Sequence, residues 1–166
     1  MIAYRSYKGD PMILKSSSAA LVLLALHGTF VLQAQDRKIS RAQLPSAVAQ
    51  TADRETKNAT IKGYATEREH GKTFYEVETV VNDHTRDLQI DSNGVLTEVE
   101  EEVRIESLSP AVQSAIKAKA MGARVVKVES LVKGGKLVAY EASTLKGGKK
   151  GEVQVGPSGE TLSHEE

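Results

Sequence analysis

The sequence predicts an α+β fold in which tandem duplicated α-β-β-β-β units form one curved antiparallel sheet of about eight strands, with the helices on one face. Three observations predict it. The first is a repeat: Leu44, Ala47 and Val48 recur as Leu108, Ala111 and Val112, and Gly71-Lys72 as Gly135-Lys136, at an offset of 64 residues. Tyr75-Glu76, Leu88, Ile90 and Gly94 then recur as Tyr140-Glu141, Val153, Val155 and Gly159 at an offset of 65. The second is a change of period in each copy, from the spacing of a helix face to the two-residue alternation of a half-buried strand. The third is that the alternating runs are joined by tight polar turns, whereas parallel neighbours need crossovers of about a dozen residues or more. Two copies of a unit with little core of its own are expected to pack side by side.

Residues 1–34 read as a signal peptide. Arg5, Lys8 and Lys15 precede the apolar run Ala19-Ala20-Leu21-Val22-Leu23-Leu24-Ala25-Leu26, and Leu32-Gln33-Ala34 offers a cleavage site. Met12 is an alternative start, because the residues before it add nothing to the apolar run. A membrane span needs about 20 apolar residues, and His27-Gly28-Thr29 interrupts this run early. Residues 35–43 read as a linker, 44–104 as the first unit and 105–166 as the second. Without residues 1–34 the chain has 19 basic and 21 acidic residues, a net charge of −2. That balance lacks the basic stripe that phosphate backbones require and excludes nucleic acid as a partner. With no cysteine in an exported chain, stability rests on packing.

In the first unit Leu44, Val48, Thr51 and Ala52 share a helix face, with Pro45 in the first turn, where proline is tolerated. Strands follow at Thr60–Glu69, Thr73–Val81, Arg86–Asp91 and Val95–Arg104, separated by His70-Gly71, Asn82-Asp83-His84 and Ser92-Asn93-Gly94. The second unit opens on Leu108, Val112, Ala115 and Ile116, with Ser109 as the cap and Pro110 at the first helical position. Its strands are Arg124–Lys133, Leu137–Leu145, Gly151–Val155 and a short Glu160–Ser163. Alternation puts Tyr75, Val77, Val81, Leu88 and Ile90, with Tyr140, Val153 and Val155, on the side of the helices. The opposite side then carries Glu76, Glu78, Asp87, Gln89, Glu98, Glu100, Glu141, Glu152 and Gln154. Antiparallel sheets with helices on one side commonly leave the other side wet, and an eight-stranded sheet must twist, so this acidic side is expected to be concave.

With the helix-plus-four-strand unit, the paired Tyr75-Glu76 and Tyr140-Glu141 motifs, and strand ends at Ile90-Asp91-Ser92-Asn93-Gly94 and Val155-Gly156-Pro157-Ser158-Gly159, the chain resembles PepSY-like secreted proteins. More specifically, it resembles the tandem group related in fold to the β-lactamase inhibitor proteins, over about residues 40–166. The resemblance implies an eight-stranded sheet whose concave surface blocks an enzyme, and PepSY domains are associated with inhibition of secreted proteases. The chain departs from the inhibitors in lacking the cysteines for their disulfides.

Candidate partner-binding residues are Phe74, Glu76, Glu78, Glu98, Glu100 and Glu141, all on the acidic side by alternation. If His70-Gly71 is a two-residue loop, Glu76 lies opposite Ala65 and Glu78 opposite Gly63, small neighbours that leave the carboxylates accessible. Of the run Glu98–Glu102 only Glu98, Glu100 and Glu102 share a face. No Asp-x-Asp-x-Asp-Gly calcium loop exists, and His70, His84 and His164 have no ligand partner at helical spacing, so neither metal nor cofactor is expected. No Gly-x-Ser-x-Gly elbow and no nucleophile constellation is present, which argues against an enzyme. Gly134-Gly135-Lys136 and Gly147-Gly148-Lys149-Lys150 read as hairpin turns and not as phosphate loops.

The expected function is a non-catalytic periplasmic or secreted module that binds a protein or peptide of the envelope through its open sheet face, as an inhibitor or regulator of an enzyme. The alternative is an envelope sensor of a small ligand or cation that uses the acidic strip. An uncharacterised hydrolase ranks last.

Overall fold

The structure, a computed structural model, describes residues 37–69, 71–164 and 166. The expected leader, residues 1–34, lies outside them. A single antiparallel sheet has its strands in chain order: β1 Arg37–Ile39, β2 Thr60–Glu69, β3 Lys72–Val81, β4 His84–Asp91, β5 Leu96–Glu102, β6 Arg124–Lys133, β7 Lys136–Lys146 and β8 Lys149–Val155. Helix α1, Ser46–Glu55, is inserted between β1 and β2, and helix α2, Pro110–Lys119, between β5 and β6. No helix among the described residues is long and apolar enough to cross a membrane.

The two helices sit over separate apolar clusters. Leu44, Val48 and Ala52 pack on Val77, Leu88 and Ile90, with Tyr64, Tyr75 and Val99 at the margin. Val112 and Ile116 pack on Val128, Ala142 and Val155, with Tyr140 and Val153 at the margin. Tyr75 and Tyr140 thus pack against the two cores as partly buried residues on the helix side. Val99 lies directly opposite Val132, which is four residues along the strand from Val128, so the two clusters occupy one side of the sheet.

Each helix is only three turns long and owes its stability to this burial more than to intrinsic propensity. The Ser109 hydroxyl accepts the Val112 N–H at 3.3 Å, with Pro110 opening α2. Pro45 itself occupies the N-cap of α1 and offers no side-chain acceptor, so the first helix is the more weakly capped.

The same contacts recur along the chain. Thr79 donates its hydroxyl to the Arg86 carbonyl across the β3–β4 pair, and Thr144 donates to the Gly151 carbonyl at 2.9 Å across β7–β8. Single 3-10 turns, Arg41–Gln43 and Ile105–Ser107, precede the two helices. Gly94 and Gly159 have φ of +84° and +87°, and each backs onto a helix: an added Cβ would lie 2.7 Å from the Ala47 carbonyl oxygen or 2.9 Å from that of Ala111. These glycines let the chain leave the sheet in a left-handed conformation while touching helix backbone.

Two expectations need correction. Glu160–Ser163 is not a strand: Gly156 N–H bonds the Glu160 carbonyl at 2.9 Å, closing the chain into a turn after β8 and leaving β8 at the sheet edge. The eighth strand lies instead at the other edge, where Arg37–Ile39, read as linker, pairs with β2 and sends Ile39 into the first core. Strand count and architecture hold, with the membership of one strand exchanged.

Replacing Gly94 or Gly159 by Ala is expected to cost about 1–3 kcal/mol each in urea unfolding. Gly148→Ala, at a similar φ of +79° but with nothing within 4 Å, is expected to cost less. Ser109→Ala is expected to lose about 1 kcal/mol by removing the α2 cap, read in the same experiment.

Candidate functional site

Helix-facing residues alternate with residues on the opposite side, and the pairing register stacks the latter into rows that cross the sheet. One row runs Gly63, Glu78, Asp87, Glu100, Leu131, Ala139 from β2 to β7. The next runs Ala65, Glu76, Gln89, Glu98, Lys133. A third runs Glu102, Glu129, Glu141, Gln154 from β5 to β8. Phe74 stands between Glu67 and Asp91 at one end. The structure therefore brings Phe74, Glu76, Glu78, Glu98, Glu100 and Glu141 to one face, with Glu76 opposite Ala65 and Glu78 opposite Gly63. The Glu78 carboxylate lies over Gly63, where an added Cβ would fall 2.9 Å from a carboxylate oxygen and displace that side-chain end.

Neither α1 nor α2 covers this face, yet several of its residues are buried: Ala65 is 2% exposed, Leu131 2%, Ala139 0% and Glu129 4%. Register shifts at Ile61/Gly63, Gln89/Ile90, Val125/Lys127 and Leu131/Val132 interrupt the ladders of this sheet, and irregularities of this kind bend strands. The face thus sets small or apolar residues, Ala65, Leu131 and Ala139, among its carboxylates. Glu67, Glu76, Asp87, Gln89, Glu98 and Glu100 line a shallow trough of about 280 Å³, including space open to solvent. Its lining is mainly carboxylate, which suits a cationic group.

Directly opposite like charges are unfavourable in a sheet, and this face contains several such pairs, Glu78/Asp87, Asp87/Glu100 and Glu129/Glu141 among them. Two lysines offset part of the charge: Lys127 Nζ lies 2.7 Å from Glu129 and Lys133 Nζ 3.5 Å from Glu98. Neutral donors hold other members. Gln154 donates to Glu141 at 2.7 Å, the Thr79 N–H to Asp87 at 3.1 Å, and the Thr85 N–H and hydroxyl to Glu102 at 3.2 Å.

Proton affinities respond to this crowding. Burial, reinforced by the charges of Glu129, Glu98, Glu141 and Asp87, pushes Glu100 up to about 8. Burial also raises Glu98, against the pull of Lys133, and Asp87, against the Thr79 N–H. For Lys127, burial lowers proton affinity, but the bond to Glu129 and the charges of Asp87 and Glu100 outweigh it and leave the ammonium more firmly protonated than usual. Away from the trough, Asp91 is held below the carboxylate range by the N–H groups of Val95 and Asn93 that close its turn.

Glu67, Lys127, Glu129, Leu131 and Lys133 were not identified from sequence as part of this face. Counting back from Lys133 by twos places the β6 residues correctly, but Val125, Val126 and Val128 straddle the bulge and hide that alternation. Among the described residues, no group of three or more Asp, Glu or His side chains is arranged to hold a metal ion. Ser163, His164 and Glu166 touch in sequence, at 3.0 and 3.8 Å, on a tail where Ser163 and His164 face solvent.

No family model matches the chain, and no curated protein does. Solved structures share its fold. A BLIP-like protein from Bacteroides fragilis is 23% identical, with 71% of this chain and 83% of that one covered and a TM-score of 0.52. A protein from Bacteroides eggerthii predicted to be periplasmic is 16% identical over 71% and 85% of the two chains, with a TM-score of 0.58. A DUF2874 family protein from Bacteroides ovatus is 18% identical over 72% and 84%, with a TM-score of 0.55. The fold of this chain is therefore similar to that of the BLIP-like and DUF2874 proteins.

Proposed function

We propose that the chain is an exported, non-catalytic docking module whose concave sheet face engages a protein or peptide with a basic surface in the periplasm. The observation that carries this reading is the register. It gathers carboxylates from β3 to β7 onto a helix-free face, around a floor of Ala65, Leu131 and Ala139, with Lys127 and Lys133 as the cations paired within it. A preformed sheet loses little conformational freedom on binding, and a surface of one sign steers and selects a partner of the other. The trough is open to solvent and lined mainly by carboxylates, which supports docking of a cationic side chain.

Supporting the periplasmic setting are the leader-like residues 1–34 and the fold shared with a relative predicted to be periplasmic. The reading keeps the unit boundaries 44–104 and 105–166, the kinship with PepSY-like proteins, and the role of inhibitor or regulator of an envelope enzyme. The last draws on the fold shared with a BLIP-like protein, which is an analogy of architecture and not of site.

The test uses the mature chain as bait in an envelope extract, with partners identified by mass spectrometry. Glu76→Ala combined with Glu141→Ala is expected to reduce capture of the partner at least fivefold, with the melting temperature maintained. Undiminished capture by the double variant contradicts the docking reading.

A further inference from the structure

We infer that the middle of the concave face is a proton-controlled device: at neutral pH it holds a proton among Glu100, Asp87 and Glu98, which a cationic side chain of the partner displaces. The inference rests on the docking reading and adds the regulation of that same face.

The geometry is a matter of neighbours. Glu100 on β5 lies directly across from Asp87 on β4 and from Leu131 on β6, with Glu98 and Glu102 two residues away on its own strand. One position further out stand Glu76 and Glu78 on β3, Glu129, Lys127 and Lys133 on β6, and Glu141 on β7. The cations in this set are already engaged, Lys127 by Glu129 at 2.7 Å and Lys133 by Glu98 at 3.5 Å. Asp87, Glu102 and Glu141 accept hydrogen bonds from Thr79, Thr85 and Gln154. Glu100 has an apolar Leu131 on one side and a carboxylate on the other, and no side-chain hydrogen bond or ion pair reaches its carboxyl from the described residues. A half-buried carboxyl among like charges favours its neutral form, in keeping with the upward displacement of Glu100, Glu98 and Asp87.

The consequence for the fold has a definite sign. A carboxyl that binds its proton more tightly folded than unfolded contributes stability that is fully present below its unfolded pKa. That contribution fades as pH rises from the ordinary carboxylate range towards about 8, and is absent above it. The consequence for binding is opposite. Raising the pH adds negative charge to the face and strengthens its attraction for a basic partner, and a docked lysine or arginine lowers the proton affinity of Glu100.

The experiment is an NMR titration of the carboxyl carbons between pH 4 and 10, with Glu100 assigned by the signal lost in Glu100→Gln, which removes the proton-linked charge without altering shape. It is run on the mature chain alone and with saturating hexa-arginine as a cationic probe. The expected Glu100 midpoint is near 8 without peptide and at least one unit lower with it. In parallel, wild-type melting temperature should fall between pH 5 and 8 and level off above, with a shallower fall in Glu100→Gln. A Glu100 midpoint in the ordinary carboxylate range overturns the inference, as does a raised midpoint that saturating peptide leaves in place. The docking reading is judged separately, by capture with the Glu76/Glu141 double variant at a fixed pH.

Discussion

Cross-strand register is the constraint on which everything else in this molecule depends. Once Val77, Leu88 and Ile90 are committed to α1, and Val128, Ala142 and Val155 to α2, the two-residue period of each strand leaves the intervening side chains no choice of side. Eight of the fifteen residues in the three rows are acidic, so the burial that stabilises the sheet also assembles like charges beside one another. Packing on one face and electrostatic crowding on the other are thus a single feature of the pairing.

The crowding is tolerated because it is partly relieved in several independent ways. Glycine at position 63 lets the Glu78 carboxylate fold over β2. Lysines on β6 reach Glu129 and Glu98. Amide and hydroxyl donors from Gln154 and Thr85 satisfy Glu141 and Glu102. Protonation of Glu100 completes the set. A partner with cations of its own can replace these internal compensations.

Most of the scaffold was legible in the sequence because it is written in period and punctuation. The limits of β2 and β6, the caps of Ser109 and Pro110 on α2, and the opposition of Glu76 with Ala65 and Glu78 with Gly63 all follow from local rules of alternation, capping and loop length. What escaped was decided at longer range. The pattern after Pro157 resembles that of β5, but it carries Ser163 and His164 where β5 has Glu98 and Val99, and the chain turns instead of extending. Arg37–Ile39 is too short to show alternation, and pairs because β2 leaves an edge for it. The bulge at Val125/Lys127 shifts the β6 pattern, so the near-complete burial of Glu129 carries no local signal.

The central claim is that the helix-free face is an anionic surface held outside the core. Paramagnetic attenuation of backbone amides by a cationic and by an anionic nitroxide, compared residue by residue at low ionic strength, measures this directly. The account predicts that amides of Asp87, Gln89, Glu98, Glu100 and Glu129 are attenuated more strongly by the cationic probe, and that the excess shrinks as salt is added. Equal attenuation by the two probes at those residues, or an excess from the anionic one, would contradict it.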